Sequence, residues 1–135
     1  MSGIFPEGLT QKAFDLLNKC AKDASSLSTN ELLDRAASHL EKIREAQRRN
    51  AYVNLKLAEA IYNNFQIVVN DWDRLPQASY PWLQGMMYYF ALSSDLEDDF
   101  ISPIGFDDDV EIMNACLRFA DREDLCLNPE DFDDV

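Results

Sequence analysis

Residues 82–92, Trp82-Leu-Gln-Gly-Met-Met-Tyr-Tyr-Phe-Ala-Leu92, determine the fold of this chain. They are apolar on nearly all sides of a helix, and a helix of that kind lies in the interior of its protein. Ser79-Tyr80-Pro81 precedes them, and proline is favoured in the first turn of a helix because its missing N–H has no partner there. We therefore predict a central helix that begins near Tyr80. The predicted core contains Ile61, Phe65, Val68, Met86, Tyr89 and Phe90.

A second helix is predicted immediately upstream, because apolar residues recur there at helical spacing for about five turns. Leu75-Pro76 ends this helix, since proline lacks a donor and the residue before it avoids the helical region. The predicted stripe consists of Val53, Leu57, Ile61, Phe65, Val68 and Trp72.

Two further helices are predicted closer to the N-terminus. Thr10 is placed to cap the first, over Leu9 to Ala24, and Ser28-x-x-Glu31 is a capping-box pattern that opens the next. Whether Asn30 to Asp73 forms one long helix or two stays open, and we favour a break near Arg48–Ala51. The buried positions predicted here are Leu9, Ala13, Leu16, Leu17 and Cys20, followed by Leu32, Leu33, Ala36, Leu40 and Ile43.

Downstream of the central helix, the chain becomes acidic. A loop rich in carboxylates extends through Gly105, and Asp108-x-x-Glu111 then opens the last helix in a capping-box arrangement. The tail from Asp121 onward is expected to be loosely held. The last helix is predicted to bury Val110, Met113, Leu117 and Ala120, and the tail is predicted to attach through Leu125, Leu127 and Phe132.

These patterns predict an all-α protein, a compact bundle of four to five helices with an acidic helix–loop–helix corner. A hairpin signal such as Asn-Gly or sustained alternation is missing from the sequence. A length of 135 residues and an apolar fraction of 47% fit one folded domain. We divide that domain, 1–135, into N-terminal helices (1–70), a helical core (71–120) and an acidic tail (121–135).

The net charge of −13 is concentrated in one half of the chain. Residues 1–70 carry 9 basic and 8 acidic side chains, whereas residues 71–135 carry 3 basic and 17 acidic ones. A surface with this charge repels phosphate, so we expect neither nucleic acid nor an anionic membrane as a partner.

The longest apolar run, Pro81 to Leu92, is too short to span a bilayer. Without a predicted secretion signal, we expect a cytoplasmic protein with no membrane insertion.

After the apolar helix, eight residues form a spaced pattern: Asp95, Leu96, Asp99, Phe100, Ile101, Gly105, Asp108 and Asp109. Through this pattern, residues 71–118 resemble the YkvA-like domain, a mostly bacterial family of unknown function. The motif of that family is an apolar helix followed by S-P-I-D-L-I-P-D-F-I-P-x-x-G-x-x-D-D. Ser93, Asp98 and Ser102 stand where the family tends to have proline, and Glu97 replaces an apolar residue. The resemblance implies a helical core and no particular reaction.

The acidic loop has a structural and a metal-binding interpretation. In the first, Asp95 and Asp108 cap the ends of neighbouring helices. Gly105 permits a turn, and Phe100 and Ile101 pack the loop onto the bundle. In the second, the carboxylates gather Ca²⁺ or Mg²⁺. An EF-hand counted from Asp95 fails, because phenylalanines occupy the glycine and final glutamate positions. We favour the structural interpretation and predict no metal site.

Catalysis is not predicted. The single histidine, His39, has Ala36 rather than glutamate three residues before it, which argues against a di-metal helix motif. The sequence has no glycine-rich phosphate loop, so we predict no cofactor. Three cysteines without a CxxC pair are expected to be reduced thiols that pack as small apolar residues. They are Cys20, Cys116 and Cys126.

Two classes of function remain. The chain is either a non-catalytic helical interaction or scaffold module with an acidic face for a basic protein partner, or an acidic immunity- or antitoxin-type inhibitor of a basic, nuclease-like toxin. In both, charge steers the partner and aromatic side chains anchor it. The aromatic candidates are Trp72, Tyr80, Trp82, Tyr88 and Tyr89. The predicted acidic face consists of Asp95, Glu97, Asp98, Asp99, Asp107, Asp108 and Asp109.

Overall fold

The computed structural model describes residues 5–49, 54–92 and 107–132. Within those ranges the chain forms five α-helices and no strand, which confirms the all-α bundle. Short 3₁₀ turns follow α3, precede α4 and continue beyond α5. The helices are α1 (Gln11–Ala24), α2 (Thr29–Arg49), α3 (Leu55–Asn70), α4 (Tyr80–Leu92) and α5 (Asp107–Phe119).

The first two helices begin where the capping patterns predict. The Thr10 hydroxyl accepts a hydrogen bond from the Ala13 N–H at 3.1 Å, which satisfies one unpaired donor at the start of α1. Ahead of α2, the Glu31 N–H donates to Ser28 Oγ at 3.1 Å and the Ser28 N–H donates to Glu31 Oε1 at 3.4 Å. The capping box of α2 is therefore reciprocal, as predicted.

The long amphipathic stretch is divided into two helices, as favoured from the sequence. α2 ends at Arg49, and α3 begins at Leu55 after a buried N-cap, Asn54. Its side-chain oxygen accepts from the Leu57 N–H at 3.1 Å. α3 ends at Asn70, earlier than the Leu75-Pro76 signal predicts, because a 3₁₀ turn at Trp72–Arg74 replaces the last α-helical turn.

The central position predicted for α4 is confirmed, since α4 packs against α1, α2 and α5. Gly85 allows the closest approach: a Cβ at this position would lie 3.1 Å from the backbone N of Ala21 on α1. Of the α4 residues predicted to lie in the core, Met86 and Phe90 are buried as expected, whereas Tyr89 is only half-buried. The fully buried residues of α4 are Leu83, Met86, Met87 and Phe90.

Aromatic contacts join α4 to α2 and α3 within one core. The Phe90 ring meets the Phe65 ring edge-on at 5.4 Å between centroids and the His39 ring at 4.8 Å. His39 is thus a packed core side chain. Leu16 departs from the predicted stripe of α1, because it is 40% exposed while its neighbour Leu17 is fully buried.

None of the described helices is long and apolar enough to cross a membrane.

Candidate functional site

Most of the predicted acidic face lies outside the described residues. This applies to Asp95, Glu97, Asp98 and Asp99, and equally to the motif residues Phe100, Ile101 and Gly105. Asp107 and Asp108 are the first two residues of α5, and their side chains are likewise outside the description.

Two predictions at the start of α5 need correction. The helix begins at Asp107, so Asp108 belongs to its first turn and is not the N-cap. Asp109 is 5% exposed and is therefore not part of a solvent-facing acidic surface. The physical reason is helical phase: Asp109, Met113 and Cys116 lie on one side of α5 at spacings of four and three residues, and that side faces the core.

An acidic surface is present instead on residues 121–131, which we call the C-terminal segment. It contains five acidic residues and one basic residue. All five carboxylate side chains are exposed. They are Asp121, Glu123, Asp124, Glu130 and Asp131.

The C-terminal segment leaves α5 through a defined turn. Asp121 has a φ of 63°, and the two N–H groups around it close the helix end: Arg122 donates to the Leu117 carbonyl at 2.7 Å and Asp121 donates to the Arg118 carbonyl at 3.1 Å. This pattern is a Schellman motif, with aspartate in the left-handed position that glycine usually occupies. The turn directs the following residues back along the bundle.

Two asparagine side chains then hold the segment against the helices. Asn64 of α3 is 6% exposed and donates to the Leu125 carbonyl at 2.7 Å. Asn114 of α5 makes two bonds to one residue, donating to the Leu127 carbonyl at 2.7 Å and accepting from its N–H at 2.9 Å. Leu125 and Leu127 also pack against the core, which confirms them as attachment points. The expectation of a loosely held tail is wrong for these residues.

Arg122 connects the segment to the end of α3. Its guanidinium donates to Asp124 Oδ1 at 3.1 Å and to Asp71 Oδ2 at 2.8 Å. These two carboxylates raise the pKa of Arg122, the Asp124 hydrogen bond contributing most, and the same bond lowers the pKa of Asp124. Arg122 is therefore paired with one carboxylate of the segment and one at the end of α3. The other acidic residues of the segment provide its outward-facing charge: Asp121, Glu123, Glu130 and Asp131.

Asn114→Ala is expected to detach this segment. Removing both hydrogen bonds to Leu127 leaves two partly buried backbone groups without a protein partner, at a cost of about 2 kcal/mol. Hydrogen exchange should show strongly reduced protection of the Leu127 amide, whose acceptor is the Asn114 side chain. Asn63→Ala, at an exposed position on α3, is the control and should leave exchange of that amide unchanged. Unaltered protection in Asn114→Ala would contradict the proposed attachment.

The exposed side of α3 borders this segment. Residues 60–70 contain no charged side chain, although 27% of the whole chain is charged. Asn63, Gln66, Ile67 and Asn70 line one shallow depression, and their spacing of three and four residues places them on one face. We call these four residues the amide face.

The predicted aromatic anchors are all half-buried and pack on other side chains of the bundle. Trp72 and Tyr80 stack on each other with centroids 4.4 Å apart, and the Tyr80 hydroxyl donates to the Trp72 carbonyl. Trp82 packs against Phe14, and the Arg35 guanidinium lies 5.9 Å from the centroid of Tyr88. These rings stabilise the bundle, so we no longer assign them to an interaction surface.

The described thiols are poorly suited to nucleophilic chemistry. Cys20 and Cys116 are buried, and Cys126 is half-buried with its Sγ 3.5 Å from the Asn114 carbonyl oxygen. Burial raises the pKa of Cys20 to about 11 and also raises the pKa of Cys116 and Cys126. At neutral pH these thiols are protonated, and the thiolate is the reactive form. All three are unbridged, as expected.

Across the described ranges, no three side chains of histidine, cysteine, aspartate or glutamate converge as a metal site would require.

No family model, curated protein or solved structure matches this chain significantly. The features that bear on function are the geometry and charge of the surface formed by the C-terminal segment and its surroundings.

Sequence reasoning did not identify the residues that attach the C-terminal segment. Asn64, Asn114 and Arg122 each contact a residue that is distant in the sequence or that lies beyond the end of α5. A signal was nevertheless present for the asparagines. Asn64 lies three residues after Ile61 and four before Val68, so it falls within a predicted apolar stripe. Asn114 lies four residues after Val110 and three before Leu117, so it does the same in α5, and a buried amide requires hydrogen-bond partners.

Proposed function

We propose that this protein is a non-catalytic helical interaction module whose acidic C-terminal segment docks a basic protein partner. The observation that supports the proposal most strongly is the attachment of that segment. Five exposed carboxylates are carried on a backbone held by Asn64, Asn114 and Arg122. A surface that is already ordered loses less conformational entropy on binding than a free tail does.

The charge of the segment supports a basic protein as the class of partner. Glu123, Glu130 and Asp131 face solvent, and Arg122, the one cation of the segment, is paired with Asp71 and Asp124. A basic protein is attracted by this field, which accelerates its association. A nucleic acid or an anionic membrane is repelled by the same field.

Affinity capture from the native host tests this proposal. The tagged protein is compared with a variant carrying Glu123→Gln, Glu130→Gln and Asp131→Asn, and with a control carrying Glu7→Gln, Asp23→Asn and Asp34→Asn. Both variants change the net charge equally, and all six positions are exposed. We expect a basic protein to be enriched by the wild type and the control and to be depleted in the first variant. A partner that is acidic, or one captured equally by all three, would refute the proposal.

A second candidate function is inhibition of a nuclease-like toxin. An ordered row of carboxylates beside an uncharged helix face is suited to covering an active site that binds phosphate, because such a site is itself basic. The captured partner distinguishes the two functions. If it degrades nucleic acid and an equimolar amount of this protein stops the reaction, the inhibitor function is supported, whereas a partner without such activity supports the interaction module.

We also propose that residues 71–118 are a divergent YkvA-like domain. The order of α4, the acidic motif and α5 supports this proposal. The resemblance is compatible with either candidate function, because it implies no reaction.

A further inference from the structure

We propose that the amide face of α3 (Asn63, Gln66, Ile67 and Asn70) is the centre of the docking surface and that the C-terminal segment is its acidic rim. This inference rests on the proposed function and specifies the residues that contact the partner. It assigns the contact area to α3 and the steering charge to residues 121–131.

The two surfaces are adjacent. Asn64, one position from Asn63 and on the next face of α3, donates to the Leu125 carbonyl at 2.7 Å. At the end of the helix, Asp71 follows Asn70 directly and is bridged to Arg122 at 2.8 Å. The C-terminal segment therefore runs alongside α3 and borders its exposed face.

The amide face has the composition of an interface centre. Ile67 is 38% exposed and is one of three large apolar side chains that are exposed among the described residues. Three amide side chains surround it, and each can both donate and accept hydrogen bonds. Interface centres are depleted in charge and surrounded by polar rims, which matches an uncharged helix face beside an acidic segment.

Charge also selects the occupant. A second copy of this protein would bring two acidic C-terminal segments close together, and the net charge of −13 opposes such pairing. A basic partner would instead place its cations against the rim and an apolar side chain against Ile67. We therefore assign the amide face to a basic protein segment that also carries an apolar residue.

Leu16 on α1 provides a matched control, because it is 40% exposed and also lies within a helix. Its surroundings differ in charge: it lines a groove with Lys12 and Glu111 instead of bordering an acidic segment. Ile67→Ala and Leu16→Ala each remove an exposed branched aliphatic side chain and leave a residue that favours helix. The two variants should have similar stability and should differ in binding.

The test uses peptides selected on the immobilised wild-type protein from a displayed random-peptide library. We expect the enriched peptides to carry lysine or arginine together with an apolar residue. Synthetic copies should bind Ile67→Ala about tenfold more weakly than the wild type, the effect of losing a contact at the centre of an interface. Leu16→Ala should bind them as the wild type does, and weakening by raised salt should persist in Ile67→Ala, because its rim is intact.

The possible failures are distinguishable. Basic peptides that bind Ile67→Ala and the wild type equally, and that lose affinity when Glu123, Glu130 and Asp131 are neutralised, would overturn this inference and leave the proposed function standing. Enriched peptides without positive charge, or no enrichment at all, would overturn the proposed function and this inference with it.

Discussion

Met86→Asp is expected to abolish cooperative folding. Met86 is 2% exposed on the central helix, which packs against α1, α2 and α5. The substitution removes apolar contacts, which costs about 2–5 kcal/mol, and places an unpaired carboxylate where water cannot solvate it, which costs about 3–5 kcal/mol more. Since small domains are typically stable by only about 5–15 kcal/mol, most or all of the stability is lost. Circular dichroism during heating should show little helix and no sharp transition at neutral pH.

Leu16→Asp is the control for this experiment. It introduces the same carboxylate in place of an apolar residue within a helix, at a position that is 40% exposed. Its cost should stay within about 1 kcal/mol, because solvent reaches the new charge. A Met86→Asp protein that unfolds as cooperatively as Leu16→Asp would contradict the central position of α4.

The sequence was sufficient for the features of the fold that depend on local patterns. The apolar residues around α4 predict its central position, and the patterns at Thr10 and Ser28-x-x-Glu31 predict the starts of α1 and α2. Each of these features depends on residues within one short segment of the chain. The sequence predicted the end of α3 less well, because a 3₁₀ turn separates Asn70 from Leu75-Pro76.

The described part of the candidate site could not be predicted in the same way. Asn64 and Leu125 are 61 residues apart, and Asp71 and Arg122 are 51 apart, so no local pattern links them. Acidic composition alone also led to the wrong prediction that Asp109 lies on the exposed acidic face, whereas its helical phase turns it toward the core. A count of carboxylates predicts the sign of the surface potential, whereas their positions depend on how the helices pack.

Neutralising the outward-facing acids is expected to slow association with the partner captured from the host. Glu123→Gln, Glu130→Gln and Asp131→Asn together remove three charges from the rim and leave the bonds of Asn64, Asn114 and Arg122 intact. At low ionic strength we expect the association rate constant to fall by about tenfold or more, since steering charge acts mainly on the encounter. Dissociation should change less.

The matched variant with Glu7→Gln, Asp23→Asn and Asp34→Asn has the same net charge, but its changes lie in the N-terminal half of the chain. Its association rate should remain near that of the wild type, which separates a local rim from a general effect of net charge. Equal slowing in both variants would show that the C-terminal segment has no special role.

The most direct measurement is the association rate of wild-type protein with this partner as a function of ionic strength. The Debye length shortens from about 30 Å at 0.01 M to about 8 Å at 0.15 M, so steering by the C-terminal segment should weaken steeply over that range. We predict a fall of about tenfold or more for the wild type and a much shallower dependence for the variant that carries Glu123→Gln, Glu130→Gln and Asp131→Asn. A wild-type rate that is independent of salt would contradict the proposal that this acidic surface recruits a basic partner.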